Sequence, residues 1–511
     1  MAMNVIIIGD DAICRDRESV TRAHIGDDMT KQPNIVFILT DQQRLDTIAA
    51  NGFEHMDTPN LDLLVQGGAV FENMYVPAPS CSPSRAALFS GTYPHTNGVF
   101  RNEEPWSYCW VEELAKVGYR CVNVGKMHTN PVEGAFGFHE RHVVENKDRD
   151  HPNLPFYLDN WDKALQARKA EKPSRVSYHK RPDYNESLGA FVWELDEDLH
   201  SDVFVGETAC WWLDRYSGDE PFFLQIGFPG PHPPYDPTQD YLDTYLDRDL
   251  PEAILDYDLA SQPAPLRAIR QNQLDNDRDA IVHLEAPSQD QLHRQRACYY
   301  ANVSMIDAQI GAIVDALDRR GVLDNTVIIF TSDHGDCLND HGHSQKWTMY
   351  EQSVHVPAIL CWPGKVEKAT RHADLVSLMD FGPTILEIAG AGIPPWMEAQ
   401  SLGDLLFGNS KADRDCVFSE HANDRVVMET NFMTMVRSGP WKLVHFVDSD
   451  EGQLFNLEND PGERVNLWDT AAHADTCREL IDKILTWRIE SARKTQGFVR
   501  MLANRKREAR S

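Results

Sequence analysis

No hydrophobic run in this chain approaches the roughly 20 residues that a helix needs to cross a bilayer, so an α-helical membrane span is not expected. The opening MAMNVIIIGDDAICR has too short an apolar stretch, an early acidic pair and no basic start, so a signal peptide is not expected either. Paired cysteines are also missing. The ten thiols, at 14, 81, 109, 121, 210, 298, 337, 361, 416 and 477, contain no C-x-x-C pair and no framework spacing. They are expected to be free, mostly in the core of a cytoplasmic protein. Basic charge is scarce: 49 Lys and Arg stand against 79 Asp and Glu, a formal net charge of −30. That balance argues against a broad nucleic-acid or membrane surface, since either needs a basic face. An anionic substrate would need a local positive pocket set into an acidic exterior.

With 511 residues, 42% hydrophobic and 25% charged, the chain reads as globular, long enough for one large domain and an appended smaller one. Short β-branched or aromatic runs alternate with helical patterns. This predicts an α/β fold, a large mostly parallel sheet sandwiched by helices. The clearest strands are Ile35–Leu39, Arg120–Val124, Phe222–Ile226 and Val327–Phe330. Helices are expected over TPNLDLLVQGG, with Thr58 capping and Pro59 first, and over ANVSMIDAQIGAIVDALDRRG. Residues 133–200 and 236–295 read as surface insertions rimming a site. Beyond about residue 400 the pattern changes to short strands with Asn, Gly and Pro turns, then a final helix from about Ala471 to Arg493. The expected organisation is therefore an N-terminal extension (1–30), a catalytic α/β domain (31–400) and a smaller antiparallel-sheet domain with a basic tail (401–511). The tail reads as a solvated end, with a subunit contact in a homo-oligomer as the alternative.

Each clear strand is followed at once by polar residues: Asp41 and Gln42, Lys126 and His128, His232, and Asp333 and His334. A lone Asp after a strand is ordinarily a turn former or cap, and a lone His is ordinarily structural or exposed. Four segments converging on one sheet edge outweigh that, because the carboxyl ends of strands in an open α/β sheet form the ligand crevice. Asp41, Gln42, Asp333 and His334 make a plausible set for a divalent cation. A rival zinc set, Cys337, His341 and His343 in CLNDHGH, fits no common zinc module. In PAPSCSPSRAALFSGT, Pro83 suits the first turn of a helix, which places Cys81 by free amide hydrogens that favour an anion. That alone permits a thiol hydrolase with His128 or His232 as base. Trp106, Trp110, Trp161, Trp193 and Tyr235 fall in or near the expected rim, where aromatic walls would suit an aryl or sugar group, and core packing explains a Trp equally well.

CSPSRAALFSG resembles the C-x-P-x-R signature of the formylglycine-dependent sulfatases of the alkaline phosphatase superfamily. The other pieces follow in that family's order: ILTDQQ, the signature, GKMH, PHPPY, TSDHGD, HSQKWTMYEQSVHVP, and near the end WKLVHF and LFNLENDPGERVNL. The resemblance spans Asn34 to about Trp468. It implies that a formylglycine-generating enzyme oxidises Cys81 to an aldehyde whose hydrate is the nucleophile. The second hydroxyl of a hydrate can collapse to aldehyde and expel sulfate, so one hard hydrolysis is split into two easier steps.

The resemblance also implies roles. Asp41, Gln42, Asp333 and His334, with the modified residue 81, would hold a divalent metal. Arg85 and Lys126 would bind the hydrate and the developing charge. Lys346 and His232 would bind the anion and protonate the leaving oxygen, and His128 would take the proton on collapse. Asn102 matches a substrate-contact position of some relatives. Many sulfatases carry Asp where Gln42 stands and Asn where His334 stands, so the site here is less anionic and leans from calcium toward manganese. The same pair resembles the phosphonate monoester hydrolases, a sister group, whereas GKMH matches a true sulfatase. The expected function is hydrolysis of a small anionic ester, a sulfate monoester, with phosphonate monoesters or phosphodiesters as the alternative. A non-catalytic relative would keep an unmodified thiol at Cys81.

Overall fold

A computed structural model describes residues 32–145, 147, 157–408, 411–422 and 424–508 of the chain. The expected N-terminal extension lies outside these residues. The β-branched runs form a sheet of eight strands, β1 (Asn34–Asp41), β2 (Ala69–Tyr75), β3 (Arg120–Gly125), β4 (Glu140–Val143), β5 (Phe222–Pro231), β6 (Thr326–Ser332), β7 (Ala358–Cys361) and β8 (Thr370–Ser377). Their order is β4-β3-β5-β1-β6-β7-β2-β8, and every pairing is parallel except those of β7 with β6 and β2. The four strands legible in the sequence are therefore neighbours at the centre of the sheet.

Both faces are apolar, which is why these strands read as continuous hydrophobic runs. Successive side chains alternate between two clusters. Ile35, Phe37 and Leu39 join one with Phe223, Val327 and Ile329. Val36 and Ile38 join the other with Val122, Leu224, Ile226, Ile328 and Phe330. The helices that matter for the site are α1 (Pro59–Gly67), α2 (Cys81–Ser90), α3 (Ser201–Arg215), α4 (Gln289–Arg319), α5 (Phe381–Ile388) and α6 (Ala474–Glu508). α2 and α5 cover the first face, and α1, α3 and α4 cover the second.

The smaller sheet, β9 (Cys416–Ala422), β10 (Phe432–Ser438), β11 (Trp441–Phe446) and β12 (Gly452–Asn456), is antiparallel throughout. Its period of two is equally regular. Met433, Met435, Val444 and Phe455 point into the cluster of the large sheet, whereas Phe418, Val436, Leu443 and Leu454 pack on Leu480 and Ile484 of α6.

Three local expectations need correction. Thr58 does not cap α1; its hydroxyl accepts from Ala49 N at 3.0 Å, while Asp307 on α4 accepts from the amides of Asn60 and Leu61 at 3.1 and 2.7 Å. The second insertion ends earlier than expected, because Ser288 and Gln291 form a capping box that starts α4 at Gln289. The final helix also runs well past Arg493, burying Phe498 and Leu502 against the large sheet's cluster, so this part of the tail is packed and not solvated.

Candidate active site

The parallel register brings the polar residues together. Thr40 lies opposite Ser332 and Asp41 opposite Pro231, so Asp333 and His232 follow on either side of the end of β1. β3 and β5 approach so closely there that a Cβ on Gly227 would lie 1.8 Å from the carbonyl oxygen of Lys126. Only glycine fits. That approach, sealed by the Lys126 N–H donating to Gly227 O at 2.7 Å, carries Lys126 over the sheet edge, where its Nζ lies 2.5 Å from Asp41 Oδ2.

Cys81 opens α2, with Ser80 as N-cap and Pro83 in the first turn. Arg85 follows one turn later on the same side of the helix. Its Nε donates to Asp333 Oδ2 at 2.6 Å and its Nη1 to Lys126 O at 2.8 Å, and its Nη2 lies 3.6 Å from Asp41 Oδ2. The thiol touches Asp41 Oδ1 at 3.5 Å, His334 Nε2 at 3.1 Å and Lys346 Nζ at 3.0 Å. Lys346 also donates to Gln42 Oε1 at 2.8 Å. His334 Nδ1 donates to Gly335 O at 2.9 Å, which turns Nε2 inward.

The electrostatics follow from crowding. Burial pushes Asp41 up, but Lys126, His232, Arg85 and Lys346 outweigh it and hold the carboxyl well below its usual range. Burial lowers Lys346, yet the sulfur of Cys81 and the carboxylate of Asp41 raise it further than burial lowers it. His232 goes the other way: burial, then Lys346, hold it well below an ordinary histidine.

Donor atoms of Asp41, Cys81, Asp333 and His334 all lie within 4.8 Å of one another, and all four residues are buried. Two carboxylates and an imidazole converging beside an amide oxygen fit a divalent cation.

The family model for sulfatases matches residues 33–391. The chain belongs to the sulfatase family. A second family model, the C-terminal region of N-sulphoglucosamine sulphohydrolase, matches residues 339–490. An arylsulfatase of Clostridium perfringens is 31% identical over 90% of this chain and 95% of its own length. A choline-sulfatase of Rhizobium meliloti is 29% identical over 86% and 83%. Among solved structures, a phosphonate monoester hydrolase of Agrobacterium radiobacter superposes with a TM-score of 0.73 at 23% identity, over 90% of this chain and 96% of that one. This sulfatase therefore has the expected fold and hydrolyses sulfate esters, with a metal ion and formylglycine implied by its family.

The outer part of this sulfatase's site is less deeply buried than its centre. His128 and His232 are half-buried, whereas Asp41, Arg85, Asp333 and His334 are fully buried. His232 Nδ1 donates to Pro233 O at 2.8 Å, leaving Nε2 for the site, 3.9 Å from Asp279 Oδ2. Asp279 comes from the second insertion and also pairs with Arg175 from the first. The His128 N–H is held by Glu145, at 3.1 Å from Oε2. Asn102 does not stand alone: its Oδ1 accepts from Ser82 N at 3.3 Å, so it braces the start of α2. The histidine in contact with the thiol is His334, not the His128 or His232 that a thiol hydrolase would use as base.

The rival zinc set does not assemble among the described residues. Cys337 Sγ faces the hydroxyls of Ser353 and Thr348, His341 stacks on Tyr350 at 3.9 Å, and His343 Nε2 meets Gln262 at 3.2 Å. Of the two readings open for the five aromatics, core packing holds. Trp106, Trp110, Trp161, Trp193 and Tyr235 are all buried, since their ring area is worth more in the core, and the polar tip of each of the first three finds a partner there. Sequence reasoning missed Glu145, Asp279, Asp336, which accepts from Gln42 Nε2 at 2.6 Å, and Tyr299, whose hydroxyl donates to Gln42 O at 2.7 Å. Only Asp336 carried a signal, as the last residue of TSDHGD.

Proposed function

We propose that this sulfatase cleaves sulfate monoesters at residue 81 after a formylglycine-generating enzyme has converted Cys81, with Mn2+ or Ca2+ held by Asp41, Gln42, Asp333 and His334. The observation that carries this reading is the contact of Cys81 Sγ with His334, Asp41 and Lys346 within 3.5 Å. The sulfur stands in for the oxygens of the modified side chain. A divalent ion in this cage would screen the ester's charge and lower the pKa of the attacking hydroxyl.

The chain's own groups do the rest. Arg85 and Lys126 bracket Asp41 and meet the charge that develops at the ester oxygens, where preorganised cations act without reorganising. Lys346 Nζ, 3.0 Å from the sulfur at the reacting position, binds the anion. His232, in the imidazolium form that adds a proton on Nε2, transfers that proton to the leaving oxygen, and His128 accepts the proton released when residue 81 returns to its carbonyl form. Asn102 keeps α2 in place beside the substrate. The relatives act on aryl and choline sulfates by name, which supports an aryl or alkyl sulfate as substrate. The nine described cysteines are free, which supports a reducing, cytoplasmic location. No described helix is long and apolar enough to cross a membrane.

Peptide mass spectrometry tests the nucleophile: conversion of the thiol lowers the mass of the Cys81 peptide by about 18 Da. An unmodified, inactive thiol in cells that contain the maturation enzyme would sink the reading. Turnover of an aryl sulfate against an aryl phosphonate monoester tests the ester class, and a large excess of the second would overturn it.

A further inference from the structure

Gln42 has two chemically opposite ends, and its surroundings treat them oppositely. Nε2 donates to Asp336 Oδ2 at 2.6 Å, and Oε1 accepts from Lys346 Nζ at 2.8 Å. Neither partner leaves a choice, because a carboxylate accepts and an ammonium donates. Asp336 is itself held as an acceptor, with Tyr235 OH donating to Oδ2 at 2.5 Å and Leu338 N to Oδ1 at 2.9 Å. All these groups are buried.

The backbone of Gln42 is held as well. Its φ of 73° lies in the left-handed region, uncommon for a residue with a side chain. That conformation is pinned by its N–H donating to Asp333 Oδ1 at 3.0 Å and by Tyr299 OH donating to its carbonyl at 2.7 Å. The remaining soft motion is rotation of the terminal amide, which exchanges oxygen for nitrogen. Turned over, the amide would present N–H groups to Lys346 and to any cation among Asp41, Asp333 and His334.

We infer that Asp336 is a positioning residue that holds the amide oxygen of Gln42, rather than its nitrogen, toward the cage of Asp41, Asp333 and His334, and so sets the affinity of that cage for a divalent cation. This rests on the reading of Gln42 as a metal ligand. An amide needs such a partner where a carboxylate would not, since both oxygens of a carboxylate are equivalent.

The test is calorimetric titration of MnCl2 and CaCl2 onto the chelator-stripped full chain, with the melting temperature of each apo variant recorded. Asp336→Asn is expected to weaken cation binding about 10- to 100-fold, the usual effect of losing an outer partner of a ligand. The double variant Gln42→Glu with Asp336→Asn reverses the polarity of the pair, because the new amide at 336 can donate to a carboxylate at 42 while still accepting from Leu338 N. It is expected to bind at least tenfold more tightly than Asp336→Asn alone. Native affinity in Asp336→Asn, or no recovery in the double variant, would overturn the inference. Gln42→Ala separates the two ideas: native affinity there would remove Gln42 from the ligand set, whereas a loss there with none in Asp336→Asn removes only the role of Asp336.

Discussion

At the scale of single residues, the site depends on groups that cannot be exchanged for their nearest chemical relatives. Arg85 reaches Asp333 and the Lys126 carbonyl with two different nitrogens of one planar fork. An ammonium cannot span both, so Arg85→Lys is expected to lower kcat for an aryl sulfate by about 10²- to 10³-fold. Steady-state kinetics on mass-verified, converted protein checks this. His232 is held below the ordinary histidine range by burial and by Lys346, so in the free enzyme its protonated fraction falls as pH rises, on the acid side of an ordinary histidine. If its proton goes to the leaving oxygen, kcat/KM falls as pH rises through that lowered value. A pH–rate profile of His232→Gln should lack this limb and lie well below the native curve.

At the scale of elements, α1 shows a helix start completed from another helix. Pro59 at its first position follows from local sequence, but the free amides of Asn60 and Leu61 are satisfied by Asp307, across the α1–α4 contact. Asp307→Ala removes both bonds and is expected to cost about 1–2 kcal/mol, the range of a lost N-cap, measured by denaturant unfolding. Burial raises the Asp307 carboxyl from 3.8 to about 6. A raised folded value means a contribution fully present below the unfolded value and lost as pH rises through about 6. The penalty of Asp307→Ala should therefore be larger at pH 5 than at pH 8.

At the scale of the whole molecule, the small sheet is joined to the catalytic edge by a buried amine. Lys442 on β11 is fully buried and lies 2.8 Å from Glu351 and 2.6 Å from Glu463. Glu351 begins the short segment that follows Lys346 and Trp347, so the smaller sheet supports the loop that carries Lys346. Lys442→Met leaves two buried carboxylates without their cation. It is expected to destabilise the fold by about 3–5 kcal/mol, read in chemical denaturation, and to lower activity at temperatures well below unfolding. Burial raises Glu463 to about 7, so its carboxyl also takes up a proton near neutrality.

Much of this was legible in the chain itself. Ile35–Leu39 and the three other clear strands are short β-branched and aromatic apolar runs alternating with helical patterns, the order that folds as a sheet covered on both sides. Parallel pairing then obliges Asp41, Lys126, His232 and Asp333 to meet at one edge, so the cluster followed from order along the chain. Tertiary structure alone decided which way Gln42 presents its amide, because its partner Asp336 lies 294 residues away and only the register of β1 on β6 brings them together. It also decided that the tryptophans pack inward and that α6 continues through Phe498 and Leu502, since local sequence reports periodicity and turn preference but not which distant surface is left to bury. The strands and their polar ends were a property of the sequence; the aim of each side chain was a property of its neighbours.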